Sequence, residues 1–399
     1  MTAINFDYRA RDVLGKVHEG TIEAENRDEA ASRLRKDGLQ ILDLEEEGSG
    51  LELFPQRIGA SDIIYATSQL AVMVDTGITL SVALDSLAQQ EANRTLKSVL
   101  ADLKSQVESG EDFSAALARH PKYFDRTYIS LIKASEHTGT LGQMLDTIAE
   151  YQRKQLETRQ KIRAAMAYPA VMLVLAIGVT TFLLTYVMPK FQPLFQRKGI
   201  KLPLMTRFLI SASHVLIDYW YLWALAAVAA VVAFFVARRT AEGRKFFDWL
   251  KIHIPLLGAL NRKVILSRSV RTLGTMVAAG VSMLDCIRMA GEVAGNYYYE
   301  QVWLGVLEKI TQGDRIADSL RGSPLFPPTL VQMINSGEET AKLDTVLAKV
   351  SVYYDREVET AIKATTSLIE PLLIIVMGAV VGSIAMGLLL PIFSLSRPS

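Results

Sequence analysis

The chain is 399 residues long, 50% of its residues are hydrophobic, and its formal net charge at pH 7 is +1. A chain of this length has room for two or three domains, and a charge so close to balance argues against nucleic acid as its main partner. The single cysteine, Cys286, excludes an intrachain disulfide and a multi-cysteine metal site, and we expect it to be a small buried apolar residue.

The first predicted unit is a small N-terminal α+β domain over residues 1–47. Three strand candidates lie at 6–10, 17–23 and 39–44, with a turn at 14–16 between the first two. Asn26 and Glu29 have the spacing of a helix N-cap and its returning carboxylate, so a helix is predicted from there to Gly38. Because the first eleven residues hold no apolar core of signal-peptide length, we expect this domain to stay in the cytoplasm.

A linker is predicted at 48–60, because this stretch follows three glutamates at 45–47 and holds three glycines and a proline. Beyond it, the stretch from Ser68 to Phe191 occurs twice. With a shift of 203, the following residues coincide with identical residues of the second copy: Leu70, Met73, Gly77, Gly110, Leu117 and Pro121. After one deleted residue the shift is 202, and the identities continue at Glu136, Thr138, Leu141, Leu145, Tyr151, Pro169, Pro189 and Phe191. A helical bundle followed by an apolar helix is therefore the duplicated unit.

Three windows free of Asp, Glu, Lys and Arg lie at 164–189, 219–237 and 371–396. Since roughly 20 apolar residues cross a hydrocarbon core, we interpret all three as membrane spans rather than as helices buried in a large soluble core. The fold class is thus mainly α, an integral membrane protein with two homologous bundles. The predicted order is first cytoplasmic helical bundle 61–167, transmembrane helix 168–189, periplasmic loop 190–218, transmembrane helix 219–237, second cytoplasmic bundle 238–369, transmembrane helix 370–393 and short periplasmic tail 394–399.

Helix breakers divide the first bundle into short helices, at Gly77, Asn93, Gly110, Pro121 and Gly139. The last of these helices begins near Thr140, and beyond Gly142 no breaker separates it from Pro169. We therefore expect one continuous helix from the bundle into the bilayer. Nine basic residues flank the two bundle sides of the first two spans, against five between those spans, which favours cytoplasmic bundles.

Catalytic signatures are missing from the sequence. It holds no phosphate-binding loop, no H-E-x-x-H and no nucleophile elbow, so we expect no enzymatic activity and no cofactor. The spans also carry no ionisable side chain at depth, which argues against an ion-coupled transporter. A small membrane permease or transporter component is kept as the alternative function.

Small residues and prolines mark the spans. Gly378 and Gly382 have the G-x-x-x-G spacing that lets helices approach closely, and Ser383 and Gly387 repeat this spacing. Pro169 and Pro371 stand at the start of two apolar runs. Two interpretations stay open for this spacing. It predicts either packing among the chain's own spans or a docking face for a membrane helix of another protein.

Two glutamates, Glu136 and Glu338, occupy the same place in both copies, just before a predicted helix start. Gly139 and Leu141 follow the first, and Leu343 follows the second. A carboxylate there can accept hydrogen bonds from free backbone N–H groups, so helix capping is one interpretation. A partner interface or a metal contact is the other, although two acidic residues alone make a weak cation site.

These residues resemble the platform proteins of type IV pilus assembly and type II secretion, the PilC/GspF family. The likeness covers essentially the whole chain, including the phrases Pro121-Lys122-Tyr123-Phe124 and Pro324-Leu325-Phe326-Pro327. This sequence has Ser135 and Ala341 where the family usually has glycine, so we do not expect a strict backbone requirement for glycine there.

The resemblance implies a non-enzymatic inner-membrane protein at the base of a filament-assembly machine. The partners it implies are a cytoplasmic hexameric assembly ATPase, the transmembrane segments of pilins or pseudopilins, other inner-membrane assembly proteins and further copies of the chain.

Overall fold

The computed structural model of the protein describes residues 4–11, 17–24, 26–36, 38–46, 56–196 and 203–395. The predicted turn at 14–16, most of the predicted linker 48–60 and the end of the predicted tail 394–399 lie outside the described residues. Within the described residues the chain is mainly α-helical, as the sequence predicted.

The N-terminal unit is a three-stranded antiparallel sheet with one helix. Its elements are β1 (Ile4–Arg11), β2 (Val17–Ala24), α1 (Arg27–Lys36) and β3 (Gln40–Glu46), in the sheet order β2-β1-β3. The predicted N-cap is confirmed, because the backbone N–H of Glu29 donates to Asn26 Oδ1 at 2.9 Å. Buried Ala24, Ala30 and Leu34 form the core of this unit.

Short helices make up the first bundle, and they end near the predicted breakers. They are α2 (Ala60–Asp75), α3 (Leu80–Gln90), α4 (Arg94–Glu108), α5 (Phe113–Ala118) and α6 (Arg126–Thr138). Leu70, Leu84, Leu103, Leu117 and Leu131 are at most 4% exposed and lie in the core. The bundle thus forms by burial of one apolar face per helix.

The helix that follows, α7 (Leu141–Phe182), is 42 residues long and confirms the predicted continuous connection to the first span. A π-helical turn at Leu183–Val187 and the helix α8 (Met188–Gln196) extend it. Leu145 and Ile148 are fully buried against the bundle, whereas the apolar run after Pro169 is largely exposed within the chain. One helix therefore belongs to both the bundle and the span.

The stretch predicted as a loop over 190–218 is helical at both ends, in α8 and in α9 (Leu204–Asp218). Helix α9 packs against the spans through two buried hydroxyls. Thr206 donates to the Gly387 carbonyl at 2.8 Å and Ser213 donates to the Leu184 carbonyl at 2.5 Å. The basic residues of this stretch concealed the helical pattern, because they indicated a solvated loop.

The second span and the second bundle complete the chain. The helices are α10 (Trp220–Arg239), α11 (Ala241–His253), α12 (Leu257–Ala278), α13 (Met283–Ala294), α14 (Tyr297–Thr311), α15 (Ile316–Leu320), α16 (Pro328–Glu339) and α17 (Leu343–Leu395). Helix α17 is 53 residues long and, like α7, joins its bundle to a span without a break. Among the described residues, three helices are long and apolar enough to cross a membrane, ending at Pro193, Arg239 and Pro391.

Helices α7 and α17 run parallel and touch at two levels. On the bundle side Lys161 forms an ion pair with Glu359, 198 positions later in the chain. Further along, Leu184 in the π-helical turn that extends α7 shares a buried cluster with Ile384 of α17, 200 positions later. Because the offset is nearly constant, the two helices point the same way. Both bundles therefore lie at the same end of the paired spans.

Candidate functional site

The first candidate junction is built by the last turn of α6. Glu136 accepts a hydrogen bond from the Ser114 backbone N–H at 2.8 Å and a second from the Ser114 hydroxyl at 2.6 Å. Ser114 is buried near the start of α5, and the N-cap residue of that helix, Asp112, makes no side-chain cap bond. Glu136 therefore caps α5 from a neighbouring helix.

The second junction repeats this geometry in α16. Glu338 accepts hydrogen bonds from the backbone N–H groups of Ile316 at 2.8 Å and Ala317 at 2.9 Å. Both donors are buried in the first turn of α15, whose N-cap residue, Arg315, makes no side-chain cap bond. A carboxylate at a helix N-terminus also interacts favourably with the partial positive charge there.

The sequence interpretation was right about capping but wrong about the helix that is capped. Glu136 and Glu338 lie within α6 and α16, not ahead of a helix start, and each reaches back about 22 residues. The spacing along the chain favoured the next helix, beginning at Leu141 or Leu343. The bundle instead folds α5 against α6 and α15 against α16, which places an earlier helix start beside the carboxylate.

Gly139 and Ala341 take the same left-handed backbone conformation in the two copies. Gly139 has φ +70° and ends α6, and Ala341 has φ +51°. The expectation that glycine is not strictly required here is confirmed, because the second copy keeps the left-handed conformation with alanine, although a Cβ is unfavourable in it. Leu141 and Leu343 then begin α7 and α17 as half-buried residues.

Ser135 and Gly337, which precede the two glutamates, show why the copies differ at this position. A Cβ at Gly337 would lie 3.2 Å from Leu343 Cδ1 and from Leu343 Cα, so a side chain there would be tight and would require a small shift of the start of α17. Ser135 is fully buried, and its hydroxyl donates to the Ile132 carbonyl at 2.7 Å. The junction therefore tolerates serine only where the following helix leaves space.

Neither junction has the geometry of a metal site. Both oxygens of each glutamate already accept hydrogen bonds. In the part of the chain that the structure describes, no three His, Cys, Asp or Glu side chains are grouped to hold an ion. A role of the junctions at a partner interface stays a prediction.

A cleft between the two copies is the feature that sequence reasoning missed. It has a volume of about 660 Å³ and lies between α7, α12 and α17. At its wall the hydroxyls of Tyr151 and Thr272 are 2.8 Å apart, and burial raises the pKa of Tyr151. Arg271 and Ser267 both donate to Asp355 across α12 and α17. The sequence offered one signal for this cleft, because Tyr151 and Tyr353 are identical residues at the same place of the two copies. It did not indicate which of the two tyrosines would be buried.

The bundle end of the interface between the copies carries charge as well as apolar contact. Lys161 donates a hydrogen bond to the Glu359 carboxylate. This hydrogen bond lowers the pKa of Glu359 and raises the pKa of Lys161, because it stabilises the charged form of both side chains. Beside it, Ile162 and Ala165 of α7 pack on a buried cluster that contains Val358 and Ile362. The two copies are thus joined by a defined surface rather than by the chain alone.

The span residues singled out from the sequence are placed as follows. Pro169 and Pro371 lie inside α7 and α17. Gly378 and Gly382 have no neighbour within 4 Å of a Cβ among the described residues, so the first of the two interpretations, packing among the chain's own spans, does not hold for these two glycines. The close contact is at Gly387, where a Cβ would lie 2.2 Å from Leu209 Cδ1. A docking face for another protein's helix stays a prediction for the first two glycines.

Comparison with known proteins gives full-length matches. The sequence profile of the family described as type II secretion system (T2SS), protein F, matches residues 66–189 and 269–391, and the profile of that protein's N-terminal domain matches 1–45. The double match confirms the repeat.

Three relatives illustrate the likeness. The type IV pilus assembly protein PilC of Thermus thermophilus is 40% identical over 98% of each chain. PilC of Myxococcus xanthus is 38% identical over 98% of this chain and 95% of its own. The type II secretion system protein F of Pseudomonas aeruginosa is 31% identical over 98% of each chain.

Proposed function

The chain belongs to the type II secretion system protein F family, and from this we propose that it is the inner-membrane platform of a type IV pilus or type II secretion machine. In this proposal it has no catalytic activity of its own. It couples a cytoplasmic hexameric assembly ATPase to the insertion of pilin or pseudopilin subunits into a filament, together with further copies of the chain and other inner-membrane assembly proteins.

The observation that carries the proposal is the continuity of α7 and α17. Each helix anchors one end in a bundle and sends the other through the apolar run, over 42 and 53 residues respectively. A displacement of a bundle would therefore move its span, because an α-helix of this length is stiff compared with a loop. The parallel packing of α7 on α17 would make the two spans move together.

We place both bundles and the N-terminus in the cytoplasm. The parallel spans support a common side for the bundles, and the excess of basic residues at the bundle ends supports the cytoplasmic side. The small N-terminal unit and the capped junctions would then be accessible to the ATPase, while the exposed apolar faces of the spans would be accessible to the membrane helices of pilins. The open glycines Gly378 and Gly382 are the candidates for that second contact.

The experiment that tests mechanical coupling breaks α7 between bundle and span. Gln160 is exposed, so Gln160→Pro should interrupt the helix without emptying a core. Gln160→Ala is the matched control, because alanine keeps the helix. In a deletion strain complemented with each variant, we expect Gln160→Ala to restore filaments or secretion and Gln160→Pro to restore neither, with both variants present in the membrane at equal amounts.

Two results would overturn the proposal at different levels. A deletion strain that still assembles filaments and secretes normally would refute the platform function. Full activity of Gln160→Pro would refute transmission through α7 and leave the platform function to be explained by another route.

A further inference from the structure

The packing of the first copy on the second is one-sided. Tyr151 and Lys161 of α7 provide one half of the interface, and Thr272 of α12 and Glu359 of α17 provide the other half. A twofold arrangement would also pair Tyr353 with Gln69 and Lys363 with Glu157, the repeat counterparts of these residues. Neither pair forms within the described residues, since Tyr353 is 48% exposed and Glu157 has its ion pair with Lys154 at 3.7 Å.

Both halves of this interface are therefore present a second time, unused. Tyr353 and Lys363 stand where Tyr151 and Lys161 stand in the first copy, with identical side chains, and both are exposed on α17. Glu157 is likewise identical to its counterpart Glu359, and Gln69 replaces Thr272 with another side chain that can form hydrogen bonds to a tyrosine hydroxyl. The charges of the two free halves are complementary.

The unused half on the first copy, which corresponds to the surface of α12 and α17 that Tyr151 and Lys161 contact, includes a groove between α2 and α7. It has a volume of about 450 Å³, and Gln69 and Arg153 contribute to its wall. Two apolar side chains beside it, Tyr65 and Val72, are 65% and 64% exposed, which is high for an aromatic and a branched side chain on a bundle. The corresponding face of α12 in the second copy is covered by α7.

The same correspondence continues into the spans. Leu184, in the π-helical turn that extends α7, lies in one buried cluster with Ile384 of α17 inside the chain. Their repeat counterparts, Met386 and Phe182, are 57% and 55% exposed. The unused surfaces thus extend from the bundles into the apolar runs, as the used ones do.

We propose that a second copy of this chain docks head to tail, with Tyr353 and Lys363 of one chain seated on Gln69 and Glu157 of the next. An interface between two different surfaces either closes into a ring or continues as an open array. In an open array one surface of each kind stays free at the two ends. Because α7 and α17 are parallel, the rotation that relates successive bundles has its axis along the spans, so added chains keep their spans in one bilayer. This inference deepens the proposed function by naming the surface through which copies assemble.

Cysteine crosslinking in membranes tests the contact before any filament forms. One tagged chain carries Gln69→Cys, and a differently tagged chain in the same cells carries Tyr353→Cys. The native Cys286 is fully buried and serves as background in the unsubstituted chain. With a short bismaleimide we expect a product that contains both tags, and no dimer from either variant produced alone.

Three results of this experiment would overturn the proposal. A dimer of Gln69→Cys with itself would show a twofold interface. The same product from Tyr353→Cys alone would show a different twofold interface. Labelling of both cysteines by a monofunctional maleimide without a mixed product would show that another partner, or lipid alone, meets these faces.

A charge exchange provides an independent measurement that does not require cysteines. Lys363→Glu or Glu157→Lys alone should lower co-purification of two differently tagged chains roughly fivefold, as expected for losing one partly screened ion pair. The double variant, which carries Lys363→Glu and Glu157→Lys in every chain and so exchanges the two charges of the pair, should restore co-purification. Lys97→Glu, on an exposed lysine of α4, is the control and should have no effect. Equal losses in the single and double variants would refute the pairing.

The outcome is separable from that of the proposed function. Loss of mixed crosslinks and of charge rescue, in a strain whose filaments still depend on the chain, would refute the head-to-tail contact and leave the platform function standing. Mixed crosslinks in a strain whose filaments do not depend on the chain would support the head-to-tail contact and refute the platform function.

Discussion

The two copies of the repeat cap the same helix start with the same glutamate but with different donors. In the first copy Glu136 receives one backbone N–H and one hydroxyl, both from Ser114. In the second copy Glu338 receives two backbone N–H groups, from Ile316 and Ala317. A hydroxyl can rotate to another acceptor, whereas a buried backbone N–H at a helix start has a fixed direction. Identical capping glutamates in the two copies therefore need not contribute equally to stability.

The largest expected effect therefore belongs to Glu338. Replacing it by alanine leaves two buried N–H groups without their acceptor, and we expect the free energy of unfolding to fall by about 2 to 3 kcal/mol. Glu136→Ala should cost about 1 to 2 kcal/mol, since only one backbone donor is left. Denaturation of the purified full chain measures both values, and hydrogen exchange at Ile316, Ala317 and Ser114 locates the loss.

Glutamine is the matched control at both positions, because it retains one acceptor oxygen. An equal or larger cost for Glu136→Ala than for Glu338→Ala would contradict the comparison. Loss of filament assembly with unchanged stability and exchange would instead favour a partner contact at the junction.

Smaller effects on stability are expected at Gly139 and Ala341, the residues with left-handed backbone conformation, and these effects have opposite signs in the two copies. Ala341→Gly should raise the free energy of unfolding by about 1 kcal/mol, because glycine adopts φ +51° without a Cβ clash. Gly139→Ala should lower it by about the same amount. No heavy atom lies within 4 Å of a Cβ at Gly139, so the cost is in the backbone alone. Denaturation of both single variants and of the double variant measures it.

The two changes should nearly cancel in the double variant, which places the residue type of each copy in the other. Destabilisation by Ala341→Gly would mean that the alanine methyl group contributes more through contact than it costs in conformation.

The smallest expected effect is a pH dependence confined to the first copy. The carboxylate of Asp102 and His120 Nε2 are 2.7 Å apart, and this hydrogen bond, followed by that of Gln106, holds the pKa of Asp102 below its ordinary value. The repeat counterparts are Gly305 and Ser323, which cannot form such a pair.

A lowered folded-state pKa means that the pair contributes stability above the unfolded-state value, and that this contribution is lost as the pH falls through the folded value. We expect the melting temperature of the native chain to exceed that of Asp102→Asn by roughly 1 to 2 °C at neutral pH, with the difference declining below about pH 4 and vanishing once the pH is below the folded-state pKa of Asp102. Thermal scans across this range measure it. A difference that grows towards acid pH would contradict the assigned sign.

Much of the architecture follows from local pattern. The breakers Gly77, Gly110 and Gly139 stand at helix ends, each with positive φ, because glycine reaches that conformation without strain. The apolar windows became spans because their length matches a bilayer. The unbroken stretch from Thr140 to Pro169 became part of a single helix, α7.

Other features depended on contacts between distant residues. Small-residue spacing indicated Gly378, Gly382 and Gly387 alike, yet of these three only Gly387 is in close contact within the described residues, because the rotation of α17 towards α9 decides which face is covered. Likewise, the amphipathic helix α9 was hidden by charges that suggested a loop.

By itself, the sequence determined the repeat, the three apolar helices and the helix boundaries, since these depend on the size, polarity and backbone preference of residues close together in the chain. Only the tertiary structure decided which helix each junction glutamate caps and which of two identical tyrosines, Tyr151 or Tyr353, is buried. The physical reason is that both depend on residues far apart in the chain: each glutamate meets a helix start about 22 residues earlier, and the two tyrosines differ only because the copies pack on each other through one of them.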